Sequence, residues 1–387
     1  MNIDMHYYAI YYLCIAAGLE PDEAYKIAYS SQYVDDALWG DETILILETG
    51  KKDDKAFQPI RSAHNGFESM GEGVQGKIYF PFHFLPGLEG QSFEEIVVTK
   101  AGNTGALFQT VIDKTLGGEN KNLFRIGITL HVLADTFSHE NFSGLWSSCN
   151  NVQEVSFVPI KKGPFSAMLS KIKWRIMRSV YNLAPAIGHG RAGTLPDYPH
   201  MNWSYRSFNG QYPMVSNNMK FFLGMMTLYD LVITKIKPGT PERVSRNALE
   251  RTMWRGVSET RRTKKNCKFW IEQIRAVSDQ IIPPEHLDYD PKDWEKQIGK
   301  WRKKSLFFKS KLRLKVSKEK FEGSYFRQFH KEGWKHRKFV LELLKERLTP
   351  TRMVEGHLDE KGILLNSISE TLEGIKRKGV IPGGQDI

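Results

Sequence analysis

Leu123-Phe-Arg-Ile-Gly-Ile-Thr-Leu-His131-Val-Leu-Ala-Asp135-Thr-Phe-Ser-His139 is the stretch on which the fold turns. Its apolar residues recur at helical spacing, and His131, Asp135 and His139 follow one another four residues apart. On an α-helix that spacing puts all three side chains on one face, with about 6 Å of axial rise between neighbours. Gly127 lies one step earlier on the same face and leaves room beside it. Burying three such groups on an apolar helix is unfavourable unless something binds them. A divalent metal held by neutral imidazoles and a carboxylate meets that need. A His–Asp pair at i,i+4 is also an ordinary local contact, so the triplet needs partners from elsewhere in the chain.

The rest of the sequence is globular and helical. Of 387 residues, 41% are hydrophobic and 12% aromatic, enough for one large helical domain or two. No apolar run reaches the roughly 18–20 residues of a membrane span. The apolar segment Tyr7 to Ala17 follows Asp4 rather than a basic stretch and has no small-residue cleavage site, so it reads as a first core helix, not a signal peptide. Cys14, Cys149 and Cys267 show no CxxC spacing, which disfavours a disulfide framework or a cysteine zinc site and fits a reducing cytoplasm.

Charge divides the chain. Residues 1–200 hold 17 Lys and Arg against 22 Asp and Glu, whereas residues 201–387 hold 38 against 22. The basic half suits nucleic acid, anionic lipid or a phosphate-bearing substrate, or it simply solvates helix surfaces. The expected division is a metal-binding helical domain over 1–237, a basic helical region packed on it over 238–378, and a flexible tail over 379–387.

Within the first part, Gly18 caps the opening helix, and Pro21-Asp-Glu23 opens a second that delivers Asp35 and Asp36 at its end. Helices are expected near 92–115, 122–140, 166–181 and 219–236. Short strands or extended loops are expected at Thr43 to Glu48 and Lys77 to Phe80. After Pro238, amphipathic helices are expected around 241–281, 291–304 and 321–348. The stretch from Ser305 to Val316 alternates basic and apolar residues towards its end, as a strand or an interfacial segment does.

Seven of the eleven histidines precede residue 201. His6 begins the first helix, His83 lies in Phe80-Pro-Phe-His-Phe-Leu-Pro86, and His189 lies in Ile187-Gly-His-Gly190, shortly before Asp197. With the Asp35–Asp36 pair these match a multi-metal site whose ligands come from several helices of one bundle. Other motifs are excluded. There is no His-Asp dipeptide and no Glu-x-x-His, and His139-Glu140 lacks the second His of a zincin. Gly71-Glu-Gly-Val-Gln-Gly76 has no strand before it, and no Walker A sequence occurs.

In their order these residues resemble the zinc-dependent phospholipase C and P1-type nuclease superfamily. The likeness rests on the central helix motif H-x₃-D-x₃-H, an early His, an acid after the second helix, a His-Phe pair and a late His followed by an acid. It covers roughly residues 1–235. The chain is also similar to an uncharacterised bacterial family with the same Asp-x-His-Tyr start. The resemblance implies an all-α bundle binding two or three zinc ions, or another divalent metal. Its implied ligands are His6, Asp35 or Asp36, His83 (with His64 as an alternative), His131, Asp135 as bridging carboxylate, His139, His189 and Asp197. The superfamily's N-terminal Trp amine has no counterpart in Met1-Asn2, with Asp4 as a substitute. The implied activity is hydrolysis of phosphate esters, of lipid or of nucleic acid, with Asp35 or Asp36 orienting water. The second reading is a non-catalytic, metal-stabilised protein that binds nucleic acid or anionic membrane through its basic half. Tyr325 to His330, His336 and Arg337 stand as candidates for substrate contact or as the packing face of a helix.

Overall fold

The computed structural model describes residues 1–39, 44–47, 56–64, 74–90, 93–102, 106–118, 121–157, 186–259, 262–299, 301–303, 311–314, 318–348 and 360–377. The chain is mostly helical. A π-helical opening, Asp4–Ala9, runs into α1 (Ile10–Ala16), and Gly18 (φ +90°) ends the turn that follows. Then come α2 (Pro21–Asp36), a second π-helical stretch Gln75–His83, α3 (Phe93–Val97), α4 (Ala106–Thr115) and α5 (Leu123–Ser138). α6 (Asn217–Leu231), α7 (Arg246–Ser258), α8 (Thr263–Val277), α9 (Asp293–Ile298), α10 (Lys318–Glu322), α11 (Tyr325–Leu348) and α12 (Glu360–Arg377) complete the α-helices among the described residues.

Two small sheets accompany them. In the first, β1 (Ile44–Leu47) pairs antiparallel with β2 (Ala56–Phe57). In the second, β3 (Gln153–Phe157), β4 (Asn202–Arg206) and β5 (Met214–Ser216) form an antiparallel meander. The first sheet is completed from the basic half by β6 (Trp301–Lys303) and β7 (Lys311–Leu314), β7 running parallel to β1.

α5 is the centre of the molecule because its sequence has no polar side to turn to water. Every residue from Ile126 to Ser138 is buried. Asn122 starts it, its side chain accepting from the backbone of Phe124 at 3.0 Å and of Arg125 at 3.2 Å, which satisfies two of the free N–H groups at the helix start. α2 lies across it. A Cβ on Gly127 would collide with the Ile27 carbonyl oxygen and stand 2.5 Å from Ser30 Cβ. Any larger residue there must push the two helices apart, and with them Asp35 from His131. α2 itself is set by Pro21 in its first turn and by a reciprocal cap between Glu20 and Glu23.

One hydrophobic core runs through both halves of the chain. Trp270, Trp294, Phe329 and Trp334 from the basic region belong to the same cluster as Tyr11, Ile27, Leu130 and Phe137. Trp294 stacks on Tyr29 with centroids 3.9 Å apart.

Several sequence expectations are corrected. Lys77 to Phe80 is not extended but lies in the π-helical stretch Gln75–His83; Pro81, with no N–H to give, is built into that widened turn. The helix expected over 92–115 is two short ones separated by a turn at Gly102 (φ +68°). The helical stretch expected around 241–281 is α7 and α8, and that around 291–304 ends at Ile298. Of the two readings of the stretch from Ser305 to Val316, Lys311 to Leu314 takes the strand. The helix expected over 166–181 and the tail 379–387 lie outside the described residues, as do 304–310 and 315–317. Among the described residues no helix is long and apolar enough to cross a membrane.

Candidate metal centre

Asp135 sits at the middle of a buried cluster. Its Oδ1 lies 3.1 Å from His6 Nε2, and its Oδ2 lies 3.2 Å from His83 Nδ1 and 3.3 Å from His131 Nε2. Asp35, at the end of α2, faces the same three rings at 3.7–4.0 Å. His64 joins this side, its ring 4.3 Å from that of His83. On the other side, Asp197 Oδ1 lies 3.5 Å from His139 Nε2 and 3.6 Å from His189 Nε2. The Met1 amino group stands between the two sides, 2.7 Å from Asp135 and 3.5 Å from Asp197. These donors come from two π-helical stretches (His6 and His83), from α2, from α5 with its C-terminal cap His139, and from the loop 186–199. Wide π-helical turns re-aim side chains, and they recur at functional sites.

Local hydrogen bonds decide which nitrogen faces inward. His83 Nε2 donates to the Ser62 carbonyl at 2.8 Å, His139 Nδ1 to the His83 carbonyl at 2.9 Å, and His189 Nδ1 to the Gly193 carbonyl at 2.8 Å. Each carbonyl fixes one ring nitrogen as the N–H donor, so that in the neutral ring the other nitrogen is a bare acceptor. Those bare nitrogens point at carboxylate oxygens, which are also acceptors. Acceptor against acceptor at 3–4 Å is unfavourable unless a cation or proton lies between. Backbone carbonyls behind imidazoles are the outer support that metal-bound histidines use. Ligand atoms about 2.0–2.2 Å from a tetrahedral zinc are about 3.4 Å from one another, close to the spacings seen here.

Burial tunes the same groups. It pushes His131 down from 6.5 to about 4. Burial likewise pulls His6, His64 and His189 down, with neighbouring imidazoles adding to it. These rings are therefore neutral at pH 7, the form that ligates a metal. Burial alone would raise Asp135, but His139, the Met1 ammonium, His131 and His6 outweigh it and hold its carboxyl well below the usual range. Asp197 is lowered in the same way by His189 and the ammonium. Asp35 is raised well above the usual range by burial and by Asp135 beside it. The Met1 amine, which burial would lower, is raised to about 10 by Asp135, Asp197 and Asp35.

Four groupings could each hold an ion: His6–Asp35–His131, Asp35–His64–His83, His83–His131–Asp135 and His139–His189–Asp197. Eight of the nine residues expected from the sequence are thus brought together. Asp36 is the exception. It lines the same cavity, but its Oδ2 accepts from Gln32 at 3.0 Å and from the Tyr289 hydroxyl at 2.8 Å. His64 enters beside His83 rather than instead of it. Asp4 does not reach the cluster; it accepts from Asn266 at 2.6 Å. The candidates on α11 are packing residues: His330 accepts from Ile60 N, His336 donates to the Pro81 carbonyl, Arg337 donates to the Arg61 carbonyl, and all three are fully buried.

A cavity of about 270 Å³ opens onto the cluster, lined by Asp35, Asp36, His64, Asp135, His139 and Asp197 among others. It has room for water and for a small polar group directly against the ligand set. No curated protein and no solved structure matches the chain. A family model described as a family of unknown function, DUF6765, matches residues 1–344. The chain carrying this His/Asp cluster belongs to that family.

Proposed function

We propose that the protein is a hydrolase of phosphate esters, phospholipase C-like or nuclease-like, that works with two or three divalent ions, zinc foremost. The observation that carries this reading is the convergence of neutral imidazoles and carboxylates on one cavity, with bare ring nitrogens facing acceptor oxygens. The resemblance of the central helix to the zinc phospholipase C and P1-type nuclease superfamily supports it.

When bound, such ions supply Lewis acidity and lower the pKa of a coordinated water. The residues supply the rest. His6, His131 and Asp35 would hold one position, His83 with either His64 and Asp35 or His131 and Asp135 the position beside it, and His139, His189 and Asp197 another. Asp135 faces both sides and is the group able to bridge. Asp36 is no member of these groupings and keeps its carboxylate at the cavity wall, fixed by Gln32 and Tyr289. There it can orient a water and accept its proton.

The alternative, a metal-stabilised protein without activity, would close every coordination position with protein. The cavity against Asp35, Asp135, His139 and Asp197 favours the hydrolase. The test is turnover of small soluble phosphodiesters and phosphomonoesters by zinc-loaded protein. Hydrolysis of at least one class, lost on chelation and restored by zinc, is expected. Zinc-loaded, folded protein inert towards both classes would contradict the reading.

A further inference from the structure

α6, α7 and α8 share a surface that the metal centre does not use. Met214 is 80% exposed, Leu223 50%, Met219 46% and Trp254 40%. Met214 opens β5, the strand that runs into α6, and Met219 and Leu223 lie four residues apart on one face of that helix. The half-buried Phe222 carries this face onto α7 through an edge contact with Trp254, centroids 5.7 Å apart. One turn before Trp254 stands exposed Arg251, and across the α7–α8 turn stand exposed Arg262, Lys264, Lys265 and Lys268. None of these five cations has a carboxylate partner among the described residues, and Glu259 beside them is taken by Arg255 at 3.3 Å. The surface reaches the cavity. Thr263, the first residue of α8, receives a hydrogen bond at 3.2 Å from Asn2, which lines it.

We propose that this face docks the protein on an anionic lipid surface, with the cavity mouth brought to the headgroup layer. Charge alone would suit any polyanion. Met, Leu and Trp side chains standing out among unpaired cations suit a boundary between headgroups and acyl chains, where apolar insertion and attraction to anionic lipid act together. A nucleic acid takes methionine or leucine side chains only by unstacking a base step, which is costly, whereas the acyl boundary of a bilayer takes them directly. Docking stands on the surface itself; that the membrane also presents the phosphate ester rests on the hydrolase reading above.

The experiment uses the full chain and co-sedimentation with vesicles of phosphatidylcholine containing about a third phosphatidylserine. Binding to these vesicles, and far weaker binding to pure phosphatidylcholine, is expected at low salt. Each basic residue near such a surface is worth about fivefold, so K264Q/K265Q/K268Q together should weaken binding more than tenfold. Met219→Ser with Leu223→Ser, both exposed, should weaken it too while leaving the charge unchanged. Turnover of a soluble phosphodiester, measured in parallel, should be the same in all variants. A parent protein that does not bind the anionic vesicles overturns the proposal. So does a serine pair that binds as tightly as the parent while a short duplex DNA competes the protein off, which would make this a nucleic-acid face. Vesicle binding without any phosphodiesterase activity would leave docking standing and remove the hydrolase reading.

Discussion

Asp135→Asn should lose metal and turnover together. The carboxylate is 1% exposed and has His6, His83, His131, His139 and the Met1 amino group within 3.6 Å. An amide of the same shape keeps the packing but supplies one neutral oxygen where two anionic ones faced several imidazoles, and it is a poor bridge between cations. Loss of a partner outside the ligand set costs roughly 10–100-fold in affinity or activity, so replacing the central ligand should cost more than that. Far-UV circular dichroism would verify that the variant is helical, and elemental analysis would count its metal. A folded Asp135→Asn protein with parental metal content and parental hydrolysis would remove Asp135 from any bridging role.

The second large effect is on stability. Without ions, Asp135 and Asp197 would face the neutral imidazoles of His6, His131 and His189 deep in the core, with acceptors set against acceptors. Two ions present at about a thousand times their dissociation constants would contribute about 4 kcal/mol each. For a chain of this length that corresponds to a melting temperature about 10 °C lower after chelation. Acid should act in the same direction. Burial holds His131 at about 4 against an ordinary 6.5, and His6, His64 and His189 are shifted the same way. A histidine with a depressed folded pKa contributes stability that is complete above about pH 6.5 and is lost as pH falls towards 4. Asp4, raised to about 6 by burial, and Asp35 act in the opposite sense, two carboxyls against four imidazoles. The melting temperature should therefore fall between pH 7 and pH 4.5, with metal released in the same window. A melting curve unchanged by chelator and flat across that range would contradict this.

Much of the centre was legible because its signals are local. The four-residue spacing of His131, Asp135 and His139 and the apolar periodicity around it all sit in the one stretch from Leu123 to His139. The choice between Asp35 and Asp36, left open by the sequence, is made by how α2 meets α5. Ile27, Ser31 and Asp35 repeat at i,i+4, and Ile27 meets α5 at Gly127, so the helical phase puts Asp35 towards the histidines. Gln32 and Asp36 pair one residue further round. What could not be read was decided by distant backbone. Lys77-Ile-Tyr-Phe has strand composition, but it packs against α5, α11 and α12 as a π-helical turn that aims His83 inward. His330 and His336 resemble site residues in sequence, but their partners are Ile60 N and the Pro81 carbonyl, more than 250 residues away. His64 has no periodic neighbours and in sequence stands only as an alternative to His83; its place beside both His83 and Asp35 puts the two histidines together.

Elemental analysis of protein purified without chelator tests the metal centre most directly. The donor set is too large for one tetrahedral ion, so at least about two equivalents of zinc or a similar divalent ion are expected per chain. Less than about half an equivalent, with no uptake when zinc is added back, would contradict a metal centre built on Asp135.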